Sequence, residues 1–178
     1  MTSGDFLNTL KQGSLPVRNR RIAVEIEIPG RGLLQLNHLV LDFTGTLSVD
    51  GTLITGVRER IKKLSEHMDI YVLTADTFGR AGKELEGLPI KVQILKGPNE
   101  DKTKESFVAS LGADQTAAMG NGNNDALMLK RAGLGVAIIE GEGCSTQAIM
   151  NSDMAVKSIE AGLDLLLKPL RIKAGLRR

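Results

Sequence analysis

Short apolar runs alternate with amphipathic stretches along most of the chain. The runs are Leu39-Val40-Leu41, Ile70-Tyr71-Val72-Leu73, Val92-Gln93-Ile94-Leu95, Ala117-Ala118-Met119 and Val136-Ala137-Ile138-Ile139. Between them the spacing predicts helices over 56–67, 77–86, 103–111 and 125–132. Strands apolar on both faces and separated by helices belong to βα units, whose parallel sheet is covered on both sides. The pattern therefore predicts an α/β fold with a three-layer, doubly wound parallel sheet. Upstream, Ile22, Val24, Ile26 and Ile28 alternate with small or acidic residues, as a half-buried strand does. Pro29-Gly30-Arg31-Gly32 reads as a turn and Leu33 resumes an extended pattern, which predicts an N-terminal β-hairpin. Residues 1–20 show no clear period and read as a loose arm or short helix. Residues 21–178 then form a single domain with no repeat or linker.

Composition narrows the function classes. Aromatic residues make up 3% of the 178 and there is no Trp. A base-stacking nucleic-acid platform needs exposed rings, so nucleic acid is not an expected partner. The net charge of +2 names no partner either. Basic residues gather near the start (Arg18, Arg20, Arg21) and at the end (Lys168, Arg171, Lys173, Arg177, Arg178), as solvated tails or anion-seeking ends. The single cysteine, Cys144, allows no intramolecular disulfide and suits a reducing compartment; it reads as a buried thiol or, alternatively, a nucleophile. No apolar run approaches the ~20 residues that span a bilayer, and the polar opening is unlike a signal peptide. These features predict a cytoplasmic protein without membrane insertion. A Leu stripe from Leu163 to Leu170 with a basic end reads as a helix packed on the sheet or a subunit interface, or as one that docks a partner or membrane.

In a doubly wound sheet, ligands bind beyond the carboxyl ends of the strands. The residues that follow each apolar run are therefore the candidates. Asp42-Phe43-Thr44-Gly45-Thr46 follows the first. A carboxylate at a buried strand end is costly unless a positive partner meets it, and a metal-held carboxylate beside a phosphate is a competent nucleophile. Gly45 allows a tight turn and close backbone approach, and Thr44 and Thr46 supply hydroxyls; the segment also reads as a plain capped turn. Thr74-Ala75-Asp76 ends the second run and opens a helix. Thr74 with backbone N–H groups such as that of Ala75 makes an anion site there, or simply an N-cap. Gly120-Asn121-Gly122-Asn123-Asn124-Asp125 offers hard oxygen ligands suited to magnesium, or a tight turn plus cap. Lys102 and Lys104 stand at a predicted helix start, where they oppose the helix dipole, so one of them is expected to have an anionic partner. Together these are the parts that hold and neutralise a transferring phosphoryl group.

Asp42-Phe43-Thr44-Gly45-Thr46-Leu47, Leu73-Thr74-Ala75-Asp76, Lys104 and Gly120-Asn121-Gly122-Asn123-Asn124-Asp125 resemble, in order, the four motifs of the haloacid dehalogenase superfamily. Within it the chain is similar to the phosphorylation domain of P-type ATPases and to stand-alone soluble P-type ATPase-like proteins, from Leu39 to a C-terminal helix over 163–178. The resemblance implies a Rossmann-like fold and a phosphohydrolase that is ATPase-like or a phosphatase, with Mg2+ as cofactor. Asp42 would be the nucleophile that forms an aspartyl-phosphate, and the Thr44 carbonyl would help hold the metal. Thr74 would bind a phosphate oxygen. Lys104, preferred to Lys102 by the spacing Lys104-x-x-x-Val108-x-x-Leu111, would neutralise the charge. Asn121 falls where the family usually has a metal-binding Asp, and Asp125 matches the second acidic position. The substrate would be a phosphorylated small molecule, a nucleotide or a phosphoprotein.

Two departures bear on rate. Superfamily phosphatases carry an Asp two residues after the nucleophile as general acid/base; here that residue is Thr44, which cannot deprotonate water near neutral pH. Asn121 removes one negative charge from the metal site, which weakens the hold on magnesium. Both predict slow turnover and keep open the alternative of a regulatory or binding module with impaired catalysis. About thirty residues separate Asp42 from Thr74, and about thirty more separate Thr74 from Lys104. Neither gap holds a cap domain, so the site is expected to be open. It would then serve a large substrate or be capped by a neighbouring subunit of a homo-oligomer. Without transmembrane helices the chain alone cannot pump ions.

Overall fold

The computed structural model describes residues 24–75 and 79–178. The arm over 1–20, Arg21, Ile22, Asp76 and the start of the helix predicted over 77–86 lie outside the described residues.

Ten strands are present among the described residues: β1 (Val24–Ile28), β2 (Gly32–Leu36), β3 (His38–Asp42), β4 (Ser48–Val49), β5 (Thr52–Leu53), β6 (Asp69–Thr74), β7 (Lys91–Ile94), β8 (Thr116–Gly120), β9 (Leu134–Ile138) and β10 (Met154–Val156). The helices are α1 (Val57–Ser65), α2 (Arg80–Glu84), α3 (Glu100–Ser110), α4 (Ala126–Arg131), α5 (Thr146–Met150), α6 (Ile159–Leu167) and α7 (Leu170–Leu176). Six strands form the central sheet in the order β10-β9-β8-β3-β6-β7. Every neighbouring pair in it is parallel. The order reverses at β3, which has β6 on one side and β8 on the other. The crevice beyond its carboxyl end is the place where such sheets bind ligands.

Period-2 alternation explains the two buried layers. Leu39, Leu41, Ile70, Val72, Ala117, Met119, Val136 and Ile138 face one core, shared with Ile61 and Leu64 of α1 and with Leu163 and Leu166 of α6. Val40, Leu73 and Ala118 face the other, shared with Val108 of α3 and with Met128 and Leu129 of α4. Layers of helix, sheet and helix follow, as the run pattern predicts. The N-terminal hairpin also forms: β1 pairs antiparallel with β2, Val24, Ile26 and Ile28 turn inward, and Glu25 and Glu27 face solvent.

Several elements depart from expectation, each for a local reason. β7 is an edge strand rather than a covered one; Val92 and Ile94 are about 40% exposed, and only Leu95 beyond them is buried. α3 begins at Glu100, three residues earlier than predicted, with Glu100 and Asp101 in its first turn. Acidic residues there suit the dipole. Lys104 lies past that turn, so the dipole argument for its partner does not hold. The C-terminal helix expected over 163–178 is two helices that break at Lys168-Pro169, because a proline has no N–H for the helix ladder. Leu163, Leu165 and Leu166 are buried in the core, whereas Leu170 is exposed. The Leu stripe of α6 thus packs inside the domain.

Close packing of α4 on β9 depends on Gly135. A Cβ there would lie 2.2 Å from the Leu129 carbonyl oxygen, and backbone cannot move aside as a side chain can. Gly135→Ala is expected to destabilise the domain by about 2–3 kcal/mol, the cost of overpacking a tight core. Urea unfolding of the two proteins, with equal m-values, checks it.

Candidate active site

Three elements converge at the carboxyl end of β3. Asp42 is its last residue, buried at 7% exposure and level with Leu73 of β6. Thr74, buried, follows at the end of β6, its carbonyl accepting from the Leu95 N–H at 2.8 Å. On the other side β8 ends at Gly120, and the next residues form a short turn, Asn123–Asp125, ahead of α4. α3 packs against this turn and brings Lys104 beneath it.

Lys104 Nζ donates to Asp42 Oδ1 and to Asp125 Oδ1, each at 2.7 Å. Lys104 is 1% exposed and Asp125 fully buried. The remaining oxygen of Asp125, Oδ2, accepts the backbone N–H groups of Asn121 at 3.0 Å and Gly122 at 2.8 Å. One buried carboxylate therefore fixes both the lysine and the loop. Gly120 leaves room for it, since a Cβ there would lie 2.5 Å from the Asp125 carboxyl carbon.

The electrostatics follow from one cation serving two buried acids. Burial, and then Asp125, push Asp42 up to about 7 against the pull of Lys104. Burial works to lower Lys104, but the charges of Asp42 and Asp125 prevail and hold it above the ordinary lysine range. The triad is one positive charge short of neutral when both acids are ionised.

Around it, Asn121 ties two loops together. Its Oδ1 accepts from Thr46 Oγ1 at 3.1 Å, its Nδ2 donates to the Gly143 carbonyl at 3.0 Å, and its own carbonyl accepts from Ser145 N–H at 2.8 Å. Gly45 takes a positive φ of 73°, the tight turn expected of it. Its N–H donates to the Ser48 carbonyl at 3.0 Å. Its lack of a side chain admits Asn121, whose Nδ2 would lie 2.4 Å from a Cβ. Thr44 and Ala75 are exposed at the rim. The sequence motifs had not revealed the part played by Gly143, nor that of Glu142, whose Oε1 accepts the Asp50 N–H at 2.8 Å and pins the small β4–β5 hairpin. Cys144, half-buried beside these residues, has its thiol pushed up by burial and by Asp125, which keeps it neutral. The space between Asp42 and Thr74 holds only that hairpin and α1.

The comparisons with known proteins bear on this geometry. Residues 107–149, which contain the Asn121–Asp125 loop, match the family of haloacid dehalogenase-like hydrolases. The deoxy-D-mannose-octulosonate 8-phosphate phosphatase of Haemophilus influenzae, solved in a cobalt-bound form, superposes with a TM-score of 0.63. It is 17% identical, and the match covers 75% of this chain and 88% of that one. A haloacid dehalogenase-like segment over residues 107–149 thus sits within a fold shared with such phosphatases. The corresponding enzyme of Moraxella catarrhalis, solved with magnesium, phosphate and the KDO molecule, gives a TM-score of 0.57 at 18% identity, over 75% of this chain and 86% of that one. At these identities the likeness is one of fold. An uncharacterised protein of Methanocaldococcus jannaschii is 52% identical over 84 residues, 47% of this chain and 81% of its own. A copper-exporting P-type ATPase of Staphylococcus epidermidis is 29% identical over 93% of this chain, which spans only 22% of that protein. Together with the fold, the family match over residues 107–149 supports a phosphohydrolase. No described helix is long and apolar enough to cross a membrane.

Proposed function

We propose that this haloacid dehalogenase-type domain is a slow, divalent-metal-dependent phosphohydrolase that works through an aspartyl-phosphate on Asp42. The observation that carries the reading is the Lys104 bridge. A buried lysine 2.7 Å from both Asp42 and Asp125 keeps a nucleophilic carboxylate ionisable in a water-poor crevice and aims it at the mouth of the switch point.

In the reaction a carboxylate oxygen of Asp42 attacks the phosphorus. The new O–P bond forms as the ester P–O bond breaks and the leaving oxygen departs with the electron pair. Lys104 offsets the charge of the acyl phosphate. The Thr74 hydroxyl and the Ala75 N–H would donate to phosphoryl oxygens. Water then hydrolyses the aspartyl-phosphate without a nearby base at Thr44, which makes this second step slow.

The donor set also fits a hard cation. Asp42 and Asp125 share one lysine, so a further positive charge would lower the cost of their burial. Asp42, the Thr44 carbonyl, Asn121 and Asp125 supply oxygen only, as Mg2+ prefers. Among the described residues no group of three His, Cys, Asp or Glu side chains could hold a metal ion, so the hold would be weak. Mg2+ bound there would neutralise charge on the phosphoryl group.

Thr44 and Asn121 favour a second reading, a regulatory module that keeps the fold and binds phosphate without turnover. Acid quenching after incubation with acetyl phosphate and Mg2+, followed by peptide mass spectrometry, separates the two. A hydroxylamine-labile phosphate on Asp42 is the expected result. Its absence at every quench time would leave the module.

A further inference from the structure

The turn that follows the nucleophile strand winds back on itself. The Phe43 carbonyl accepts the N–H groups of Leu47 at 2.9 Å and Ser48 at 3.0 Å, and also the Ser48 hydroxyl at 3.1 Å. Thr46, in the middle of the turn, is fully buried, and its hydroxyl bonds both the Asp42 carboxylate and Asn121 Oδ1. The chain then runs directly into the β4–β5 hairpin. The pose of the Thr46 hydroxyl against Asp42 and the pose of the hairpin are therefore set together.

Two consecutive residues of a distant loop hold the two ends of this stretch. The Gly143 carbonyl accepts from Asn121 Nδ2 at 3.0 Å, which turns the amide oxygen toward Thr46. Glu142 Oε1 accepts the Asp50 N–H at 2.8 Å at the hairpin tip. The loop has its own anchors: the Gly143 N–H donates to the Glu140 carbonyl at 2.8 Å, and Glu140 Oε2 accepts the Ile159 N–H at 3.0 Å at the start of α6. The hairpin needs such a hold, because two residues a strand give it little stability of its own. Asp50 also takes a positive φ of 52°, which few non-glycine residues adopt. Glu84 of α2 accepts the Leu53 N–H at 3.0 Å on the other strand. What sets Glu142 apart is its neighbour, Gly143, which orients Asn121.

We propose that Glu142 is a positioning residue for phosphoryl transfer: by fastening the hairpin tip it keeps the Thr46 hydroxyl, and through it the Asp42 carboxylate, in the attacking pose. The proposal rests on the reading of Asp42 as nucleophile. Glu142 acts through the chain from Asp50 back to Thr46, not by contact with the reacting atoms. What it supplies is an acceptor for a backbone N–H, so an uncharged side chain of the same length serves in its place. Glu142 is exposed, and its replacement leaves the core intact.

The test compares the full chain with its Glu142→Ala and Glu142→Gln variants by two measurements. In chelator, hydrogen exchange of the Asp50 amide, followed by NMR, should be about tenfold faster in Glu142→Ala, the worth of one hydrogen bond to a charged group. With Mg2+ and acetyl phosphate, the maximal rate of Asp42 labelling should fall about three- to tenfold in Glu142→Ala, up to the full worth of that bond. The half-saturating acetyl phosphate concentration should not move, and Glu142→Gln should restore the wild-type maximal rate. A role in stability alone would lower the melting temperature and leave the labelling rate unchanged. Labelling of Glu142→Ala at the wild-type maximal rate overturns the proposal and leaves the nucleophile standing. So does a Glu142→Gln protein as slow as Glu142→Ala, or a change confined to the half-saturating concentration. If acetyl phosphate fails to label Asp42 in the wild type, the nucleophile falls, and this role of Glu142 with it.

Discussion

Asp42→Asn is expected to reduce magnesium-dependent phosphate release to background, whereas Thr44→Asp is expected to raise it by about 10²–10⁴-fold, the usual contribution of a positioned general base. The two variants act on different halves of the reaction. Asn at position 42 keeps the shape of the buried group and its contact with Lys104 but cannot form the acyl phosphate. Asp at position 44 adds a base two residues beyond the nucleophile, where Thr44 is exposed. Being exposed, the new carboxylate carries little desolvation cost, and the fold should tolerate it. Steady-state assays with p-nitrophenyl phosphate and chase of the quenched phosphoenzyme measure both effects. Thr44→Asp should shorten the phosphoenzyme lifetime by the same factor as it raises turnover. If turnover stays at the wild-type level in a well-folded Thr44→Asp protein, the absence of a base is not what limits this site.

The pairing of Asp42 with Thr44 is legible in the sequence because both lie within one segment. So is the core of the sheet: β3, β6, β8 and β9 are short apolar runs that end in polar residues. β10 leaves no trace in the sequence pattern, since Met154–Val156 is only three residues long and half-exposed, with no period to detect. The hairpin of β4 and β5 is shorter still, two residues a strand. The start of α3 is hidden in the sequence because Glu100 and Asp101 carry a charge signal and no apolar one. At the site, the strand-end rule and the four motifs pointed to Asp42, Thr74, Lys104 and Asp125, and the fold brings all four to one crevice. What no motif carried was the contact that crosses segments. Asn121 reads in sequence as a weakened metal ligand. In the structure its amide also joins Thr46 to Gly143, a bond to a carbonyl that an aspartate could not donate. Glu142 likewise has meaning only because folding sets it against the Asp50 N–H.

Lys104→Met should be the most destabilising single substitution at the site. Met matches the length of the lysine stem, so little packing is lost, but two buried carboxylates are left without their cation. Breaking such a buried pair costs about 3–5 kcal/mol. The loss should depend on pH in an unusual sense. Asp42 is pushed up to about 7 when folded, from 3.8 as a free side chain. Between those values the folded state holds a proton that the unfolded state has released. The stability this proton contributes is fully present below about pH 4 and is lost as pH rises through about 7, a few kcal/mol in all. The metal-free wild type, kept in chelator, should therefore melt higher at pH 5 than at pH 8. Asp164, the other carboxylic acid with a shifted value among the described residues, is lowered by Lys168 and Arg60, and its influence lies below this window. Without Lys104 the pull that lowers Asp42 is gone, so the window extends above pH 7 and the slope steepens. Adding Asp42→Asn to Lys104→Met removes one of the two stranded charges, and the double variant should be more stable than Lys104→Met alone. Thermal melts of the four proteins across pH 5–8 give the coupling directly. Additive losses in the double variant, or a wild-type melting temperature that rises toward pH 8, would show that the Lys104–Asp42 contact does not govern the charge of this crevice.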